Sequence, residues 1–229
     1  MRHIVKGQEP ATVTETRTAA TTDLSKKTTA RTAFDQIDKA RVRADLAREQ
    51  GRLCAFCMCR IDPDAIAAPS EGARPEPTMK IAHRAPIEVD PAQALSWKNL
   101  LGSCDGGQRS GGRQWSCDAA QGSTALTVDP TVQGSYAHLR YERRSPRRGL
   151  FITSDTSALK FDVEQTLRLN SGDLPELREQ AWNAFLHLQR KYAPNQYGRP
   201  ARAAYFKTWI KLCAARLPEM LGVIEAQLR

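Results

Sequence analysis

Three cysteines fall within the stretch CAFCMCRI at 54–61, and Cys54 and Cys57 form a C-x-x-C. Two thiolates at that spacing, presented by one tight turn, can reach the same tetrahedral cation. A closed site needs two more donors. Cys104 and Cys117 are the best placed, because they flank the glycine-rich stretch DGGQRSGGRQWS at 105–116. If that stretch folds out as a loop, four sulfurs surround a structural Zn2+ and tie residue 54 to residue 117. Two rival readings remain. A thioredoxin-like CAFC needs a preceding strand and a βαβ context, which the flanking residues do not offer. Buried thiols with no ligand role would need no partners at all. Cys59 alternates away from the proposed ion, and Cys213 falls on the apolar stripe of the last predicted helix, so both are read as packed side chains.

The elements that must position these residues are legible in part. Residues 1–30 are polar and threonine-rich, and read as an extended arm with weak order. From Thr32 to Gln50 the pattern is helical, with Ile37, Ala40, Ala44 and Ala47 on one face and Gly51 as its C-cap. The cysteine stretch follows as a turn or short hairpin, and proline and glycine break up residues 62–78 into a loop. MKIAHRAPI (79–87) reads as a short strand, and SWKNLLGSC as a short helix or turn entering the glycine-rich loop. A β-hairpin is expected over 136–152. Beyond it the chain reads as helical, opened by a capping-box pair, Asp173 and Glu176. Leu177, Ala181, Phe185, Leu188 and Tyr192 share one face, and Phe206, Ile210, Cys213 and Leu217 share another.

Composition narrows the class. With 229 residues, 41% of them hydrophobic, the chain can build a packed core. Its 34 Lys+Arg against 25 Asp+Glu leave a formal charge of +9, a field that favours polyanions, nucleic acid first among them. No apolar run of about 18 residues exists to span a membrane. MRHIVKGQEP lacks the apolar segment of a secretory signal, so a cytoplasmic setting is expected, where clustered cysteines bind metal more often than they pair.

Between the cysteine pairs stand His83 and Asn99, and Asp118 follows Cys117 directly. A histidine, an asparagine and a metal-binding side chain in this order resemble the HNH endonuclease pattern. The segments EQGRLCAFCMCRI, MKIAHRAPI, LSWKNLLGSCDGG and CDAAQG, with the N-terminal MRHIVKGQEPATVTETR, are similar to the retron- and Septu-associated HNH endonucleases, nuclease subunits of bacterial anti-phage systems. The resemblance implies an α+β fold with a ββα-metal (His-Me finger) core, a zinc site of Cys54, Cys57, Cys104 and Cys117, and a mainly helical C-terminal region. It implies His83 as general base, Asn99 as the residue orienting the His83 loop, and Asp118 as ligand to a catalytic Mg2+ or Mn2+. It implies DNA as substrate and an SMC-like ATPase as partner, with no membrane.

The division expected on this basis is an N-terminal arm at 1–31, a zinc-stabilised nuclease domain at 32–130, and a hairpin with helices at 131–229. Two positions depart from the family pattern. Ala82 stands where an acidic metal ligand is usual, and Gln121 where a lysine is usual. Glu88, Asp90 and Asp105 are the nearby carboxylates that could substitute. Arg109 and Arg113 in the glycine-rich loop and Arg143 and Arg144 in the hairpin are the expected phosphate contacts, although a charged hairpin face is as often merely solvated. The expectation is a metal-dependent DNA endonuclease weakened by Ala82. The alternative is a catalytically inactive, zinc-stabilised module that binds nucleic acid or the ATPase.

Overall fold

The computed structural model describes residues 1–20, 23–66, 78–108, 114–144, 146–195, 197–213 and 216–228, with residue 147 described in its backbone alone. Among them are eight α-helices and two small sheets, a mixed α+β arrangement. The polar N-terminal residues do not form an extended arm. They hold helices α1 (Ala11–Ala19) and α2 (Lys27–Gln36), ahead of α3 (Lys39–Glu49). Tertiary burial overrides the weak helical propensity of so many threonines: Val13 and Ala30 are fully buried. The single helix expected over 32–50 is therefore two, broken at Ile37–Asp38. Asp38 caps α3 by accepting the Arg41 N–H at 3.0 Å.

The first residues are anchored too. Lys6 pairs with Glu49 at 2.9 Å, both nearly out of water, and donates to the Leu100 carbonyl at 3.1 Å. Its ammonium sits 3.7 Å from the centre of the Trp97 ring. The same Glu49 accepts from Trp97 Nε1 (3.0 Å) and from Gly7 N (2.7 Å). Burial lowers the Lys6 pKa, and Glu49 opposes that shift.

Strand β1 (Lys80–His83) pairs antiparallel with β2 (Leu100–Ser103), His83 facing Leu100 and Lys80 facing Ser103. WKNLLGSC is thus a 3-10 turn at Trp97–Asn99 running into a strand, where the sequence suggested a short helix or turn. The one-turn helix α4 (Asp118–Gln121) follows. The second hairpin forms where expected, as β3 (Leu139–Arg144) and β4 (Arg147–Ser154). After it come α5 (Ser157–Phe161), a π-helical turn at Asp162–Thr166, α6 (Leu174–Tyr192), α7 (Gly198–Leu212) and α8 (Leu221–Leu228).

One hydrophobic cluster runs from Met1 through Val42, Phe56, Leu100 and Leu139 to Leu169, crossing both expected boundaries, at 31/32 and at 130/131. A second gathers Phe185, Val223 and Ile224 against the aromatic rings of α6 and α7. The buried side of α6 is Pro175, Arg178, Phe185 and Gln189. Leu177 and Tyr192, placed on the core face by their spacing, are 39% and 64% exposed. The helix has turned toward β4 because Arg178, only 1% exposed, donates to the carbonyls of Leu150 (3.2 Å) and Leu169. Asp173 stands at the N-cap of α6 but makes no side-chain capping bond. No helix among the described residues is long and apolar enough to cross a membrane.

Candidate metal centre and active site

The C-x-x-C turn is built as a small knuckle. Met58 N–H donates to the Cys54 carbonyl (3.1 Å), Cys54 N–H to the Cys59 carbonyl (2.8 Å), and Leu53 bridges Arg60. Gln50 fastens this turn to β2. Its Oε1 accepts from Gly102 N (2.7 Å), and its Nε2 donates to the carbonyls of Gly102 (2.8 Å) and Leu53 (2.7 Å). Glycine at 102 leaves room for this approach: a Cβ there would lie 2.6 Å from Met79 Cε and 3.1 Å from Gln50 Nε2, so both side chains would have to shift.

β2 then delivers Cys104, and the loop that follows closes on itself through Ser116 N–H to the Gly106 carbonyl at 2.9 Å. A Cβ at Gly106 would stand 2.1 Å from the Ser116 carbonyl oxygen. Cys117 takes a left-handed φ of 58°, costly for a residue other than glycine, and its N–H is held by the Leu167 carbonyl at 2.8 Å.

These turns bring the two pairs together. The sulfurs of Cys54, Cys57, Cys104 and Cys117 all lie within 4.8 Å of one another, with Cys54–Cys117 at 3.8 Å and Cys57–Cys104 at 3.7 Å. A tetrahedron with metal–sulfur bonds of about 2.3 Å has edges of about 3.8 Å. The donor set therefore fits a zinc-sized ion, and all six cysteines are free thiols. Burial raises the Cys54 pKa, but hydrogen bonds from Cys104, Cys117 and Cys57 outweigh it and bring that thiol well below its usual range. Cys117 is pushed up by Cys104 and its other neighbours. Thiols packed this closely oppose one another's ionisation, and a bound cation would allow all four to ionise. Cys59 stays outside the cluster, its N–H 3.4 Å from Cys57 Sγ.

Beside this cluster lies a cavity of about 310 Å3 whose lining includes His83 and Asp118. His83 Nε2 is 3.0 Å from the Ala94 carbonyl oxygen. A carbonyl only accepts, so Nε2 carries the proton and Nδ1 is the basic nitrogen. Phe34 meets the imidazole edge to face, centres 4.6 Å apart. Burial lowers the His83 pKa; the Ala94 hydrogen bond and the charge of Glu88 partly offset this. Asp118, at the first turn of α4, has its carboxyl pushed up to about 6 by burial and by Cys54, with Lys80 opposing. Asn99 is buried, and its amide grips the segment after His83: Ala85 N donates to Oδ1 at 2.8 Å, and Nδ2 donates to the carbonyls of Ala85 (2.9 Å) and Gln93 (3.1 Å).

Of the residues singled out in the sequence, then, four cysteines form one cluster, His83 and Asp118 share one cavity, and Asn99 supports its wall. Arg109 and Arg113 lie outside the described residues. Arg143 and Arg144 do not line the cavity. Arg143 is bound to Glu179 (2.6 Å), and Arg144 to Glu142 (2.9 Å) and Glu164 (2.8 Å). Ala82 is fully buried and supplies no ligand atom, and Ile81 and His83 hold the cavity side of β1.

The sequence reading missed two contributions. Helix α2 provides a whole wall, Arg31, Phe34 and Asp35, whose i, i+3, i+4 spacing is a helical-face signal; Phe34 and Asp35 lie in the stretch read as helical, Arg31 in the stretch read as arm, and none was assigned to the site. Gln121 is buried, and its Nε2 donates to the carbonyls of His83 (3.0 Å), Arg84 (3.1 Å) and Thr124 (3.1 Å), locking α4 to the end of β1. Among the described residues no carboxylate or imidazole gathers into a cage; the cysteine cluster is the one such group. Glu88 is the one alternative carboxylate of the three that lines the cavity. No protein-family model matches the chain, and a search of curated proteins finds no significant relative.

Proposed function

We propose that this chain is a metal-dependent nuclease of the HNH type, its active site scaffolded by a four-cysteine zinc centre. The observation that carries the reading is the sharing of one cavity by His83 and Asp118, two residues separated in sequence and brought together beside the sulfur cluster. The β1–β2 hairpin followed by α4 is in keeping with a ββα unit.

In this reading His83 Nδ1 takes a proton from a water that attacks phosphorus, while Ala94 holds the tautomer and Phe34 the ring plane. Asn99 fixes the backbone after His83, so the imidazole does not swing. Asp118 is the residue that would hold Mg2+ or Mn2+, and one carboxylate is enough for a hard cation that keeps its waters. Such an ion, when bound, supplies Lewis-acid stabilisation of the charge developing on the phosphoryl and leaving oxygens. The cysteines would hold Zn2+, whose role is structural: it fixes Cys117, and with it Asp118, relative to β2.

The resemblance noted in the sequence adds DNA as substrate, anti-phage defence as setting and an SMC-like ATPase as partner. Helix α7, with no fully buried residue, is the available face for that partner. A second reading, a binding module that does not cut, rests on Ala82, which leaves Asp118 without an adjoining carboxylate. Plasmid cleavage with Mg2+ separates the two. Activity that is lost in His83→Ala and Asp118→Ala supports the nuclease. Equal absence of cutting in all three supports the module.

A further inference from the structure

We infer that the polynucleotide backbone is gripped by helix α2, through Lys27 and Arg31, and not by the arginine-rich hairpin. This rests on the nuclease reading, since it is the scissile phosphate between His83 and Asp118 that fixes where neighbouring phosphates run.

Charge balance and position relative to the cavity decide the matter. Three hairpin arginines are already neutralised, and the exposed Arg148, which has no ion pair among the described residues, does not line the cavity. Arg140 pairs with Asp155, Arg143 with Glu179, and Arg144 with both Glu142 and Glu164, one cation against two carboxylates. Glu179 is structural as well, because it accepts the Gly149 N–H at 3.1 Å. Freeing these arginines for phosphate would leave carboxylates facing the ligand.

On α2 the ratio is reversed. Lys27 (3.7 Å) and Arg31 share the single carboxylate of Glu88, and both cations are 55% exposed. One positive charge is left over in this trio, of which Arg31 and Glu88 line the cavity that holds His83 and Asp118, beside the carboxylate of Asp35 that pairs with Lys39. Lys27 and Arg31 are four residues apart, one helical turn, so both project along the same face. Phe34 and Asp35 continue that face to the imidazole. A phosphate arriving at the cavity replaces Glu88 as the partner of at least one of the pair. Glu88 meanwhile holds both cations in place before the ligand arrives. Phosphate contacts of this kind position a strand and read no bases, so the grip predicts affinity without sequence preference.

The test is binding of a 20-base-pair DNA duplex, and of the single strand of the same sequence, by fluorescence anisotropy across a salt series without added Mg2+ or Mn2+ and without chelator, so that cutting is withheld and the cysteine centre is left intact. Lys27→Ala/Arg31→Ala should weaken binding about tenfold or more and lower the slope of log K against log salt by about 1 to 2. Arg143→Ala/Arg144→Ala should leave both nearly unchanged. Glu88→Gln should tighten binding about fivefold, the worth of one unit charge near 4 Å in water, a gain that misfolding cannot produce. Equal weakening by the two double variants, weakening by the hairpin pair alone, or no binding by the unaltered chain overturns the inference. If the α2 pattern holds but no form of the chain cuts with Mg2+, the grip stands and the nuclease reading falls.

Discussion

Asn99 closes on both backbone groups of Ala85, its Oδ1 accepting from the amide at 2.8 Å and its Nδ2 donating to the carbonyl at 2.9 Å. A side-chain amide used in this way imitates a strand edge, and it stands at the end of the 3-10 turn that leads directly into the second strand of the hairpin whose first strand ends in His83. His83 is therefore positioned through the backbone that leaves it, while Gln121 Nε2 donates to its carbonyl.

Asn99→Ala should expose that dependence. It removes a buried amide and strands the N–H and C=O of Ala85, at a cost of about 2–4 kcal/mol in unfolding free energy by denaturant titration. Cleavage should fall about a hundredfold at a temperature where the variant remains folded. Asn99→Asp should be little better, because a carboxylate cannot donate to the Ala85 and Gln93 carbonyls.

Elemental analysis of the purified chain should find about one zinc per polypeptide. Cys54→Ser or Cys117→Ser should bind markedly less and unfold at lower temperature, while Cys59→Ser and Cys213→Ser retain the metal. Chelation should destabilise the central region, read as loss of amide protection in 53–61, 100–104 and 116–121. A chain equally stable with and without chelator would exclude a structural ion here.

Much of this site was readable because its chemistry is coded by residue type at short range. C-x-x-C announces a turn with two ligands, and the second pair follows from there being two further cysteines around a glycine-rich loop. What could not be read was the support. Gln50 and Gln121 look like surface residues by composition, yet each satisfies three backbone groups that only the folded chain brings near. Arg178 broke the apolar stripe of α6 for the same reason: a guanidinium serving buried carbonyls counts as polar in any periodicity, so the predicted face was rotated to include the exposed Leu177 and Tyr192. The threonine-rich start failed in the opposite sense. Its helices are tied to residues far along the chain, Arg17 of α1 to the Leu95 carbonyl (2.9 Å) and Arg31 of α2 to Glu88, and local propensity carried no trace of these contacts.

Ala82→Glu is the substitution that weighs the single-carboxylate reading. The position is fully buried, so a glutamate there should lower the melting temperature measured without added Mg2+ by several degrees, as an unpartnered carboxylate must be desolvated. If its carboxylate joins Asp118 at the ion, Mg2+ should recover part of that loss and raise the cleavage rate above that of the unaltered chain. Recovery should be absent in Ala82→Glu/Asp118→Ala. A variant that Mg2+ neither stabilises nor accelerates would mean that residue 82 has no access to the ion.

The final prediction concerns protonation. Burial holds the His83 pKa below the ordinary 6.5, Glu88 and the Ala94 carbonyl raise it, and Arg31 and Lys39 lower it. A depressed pKa means a neutral imidazole at pH 7, ready to accept a proton at Nδ1. It also means that the unfolded chain binds this proton first, so the contribution of His83 costs stability only as pH falls below about 6.5. A ring-proton NMR titration, with the resonance assigned by its loss in His83→Gln, should place the midpoint below 6.5. Glu88→Gln removes a charge that favours the imidazolium and should move the midpoint further down; Arg31→Gln should move it up. Opposite displacements by two neighbours of opposite charge are what a base seated between them must show, and a midpoint above 7, or one indifferent to both substitutions, would remove His83 from that seat.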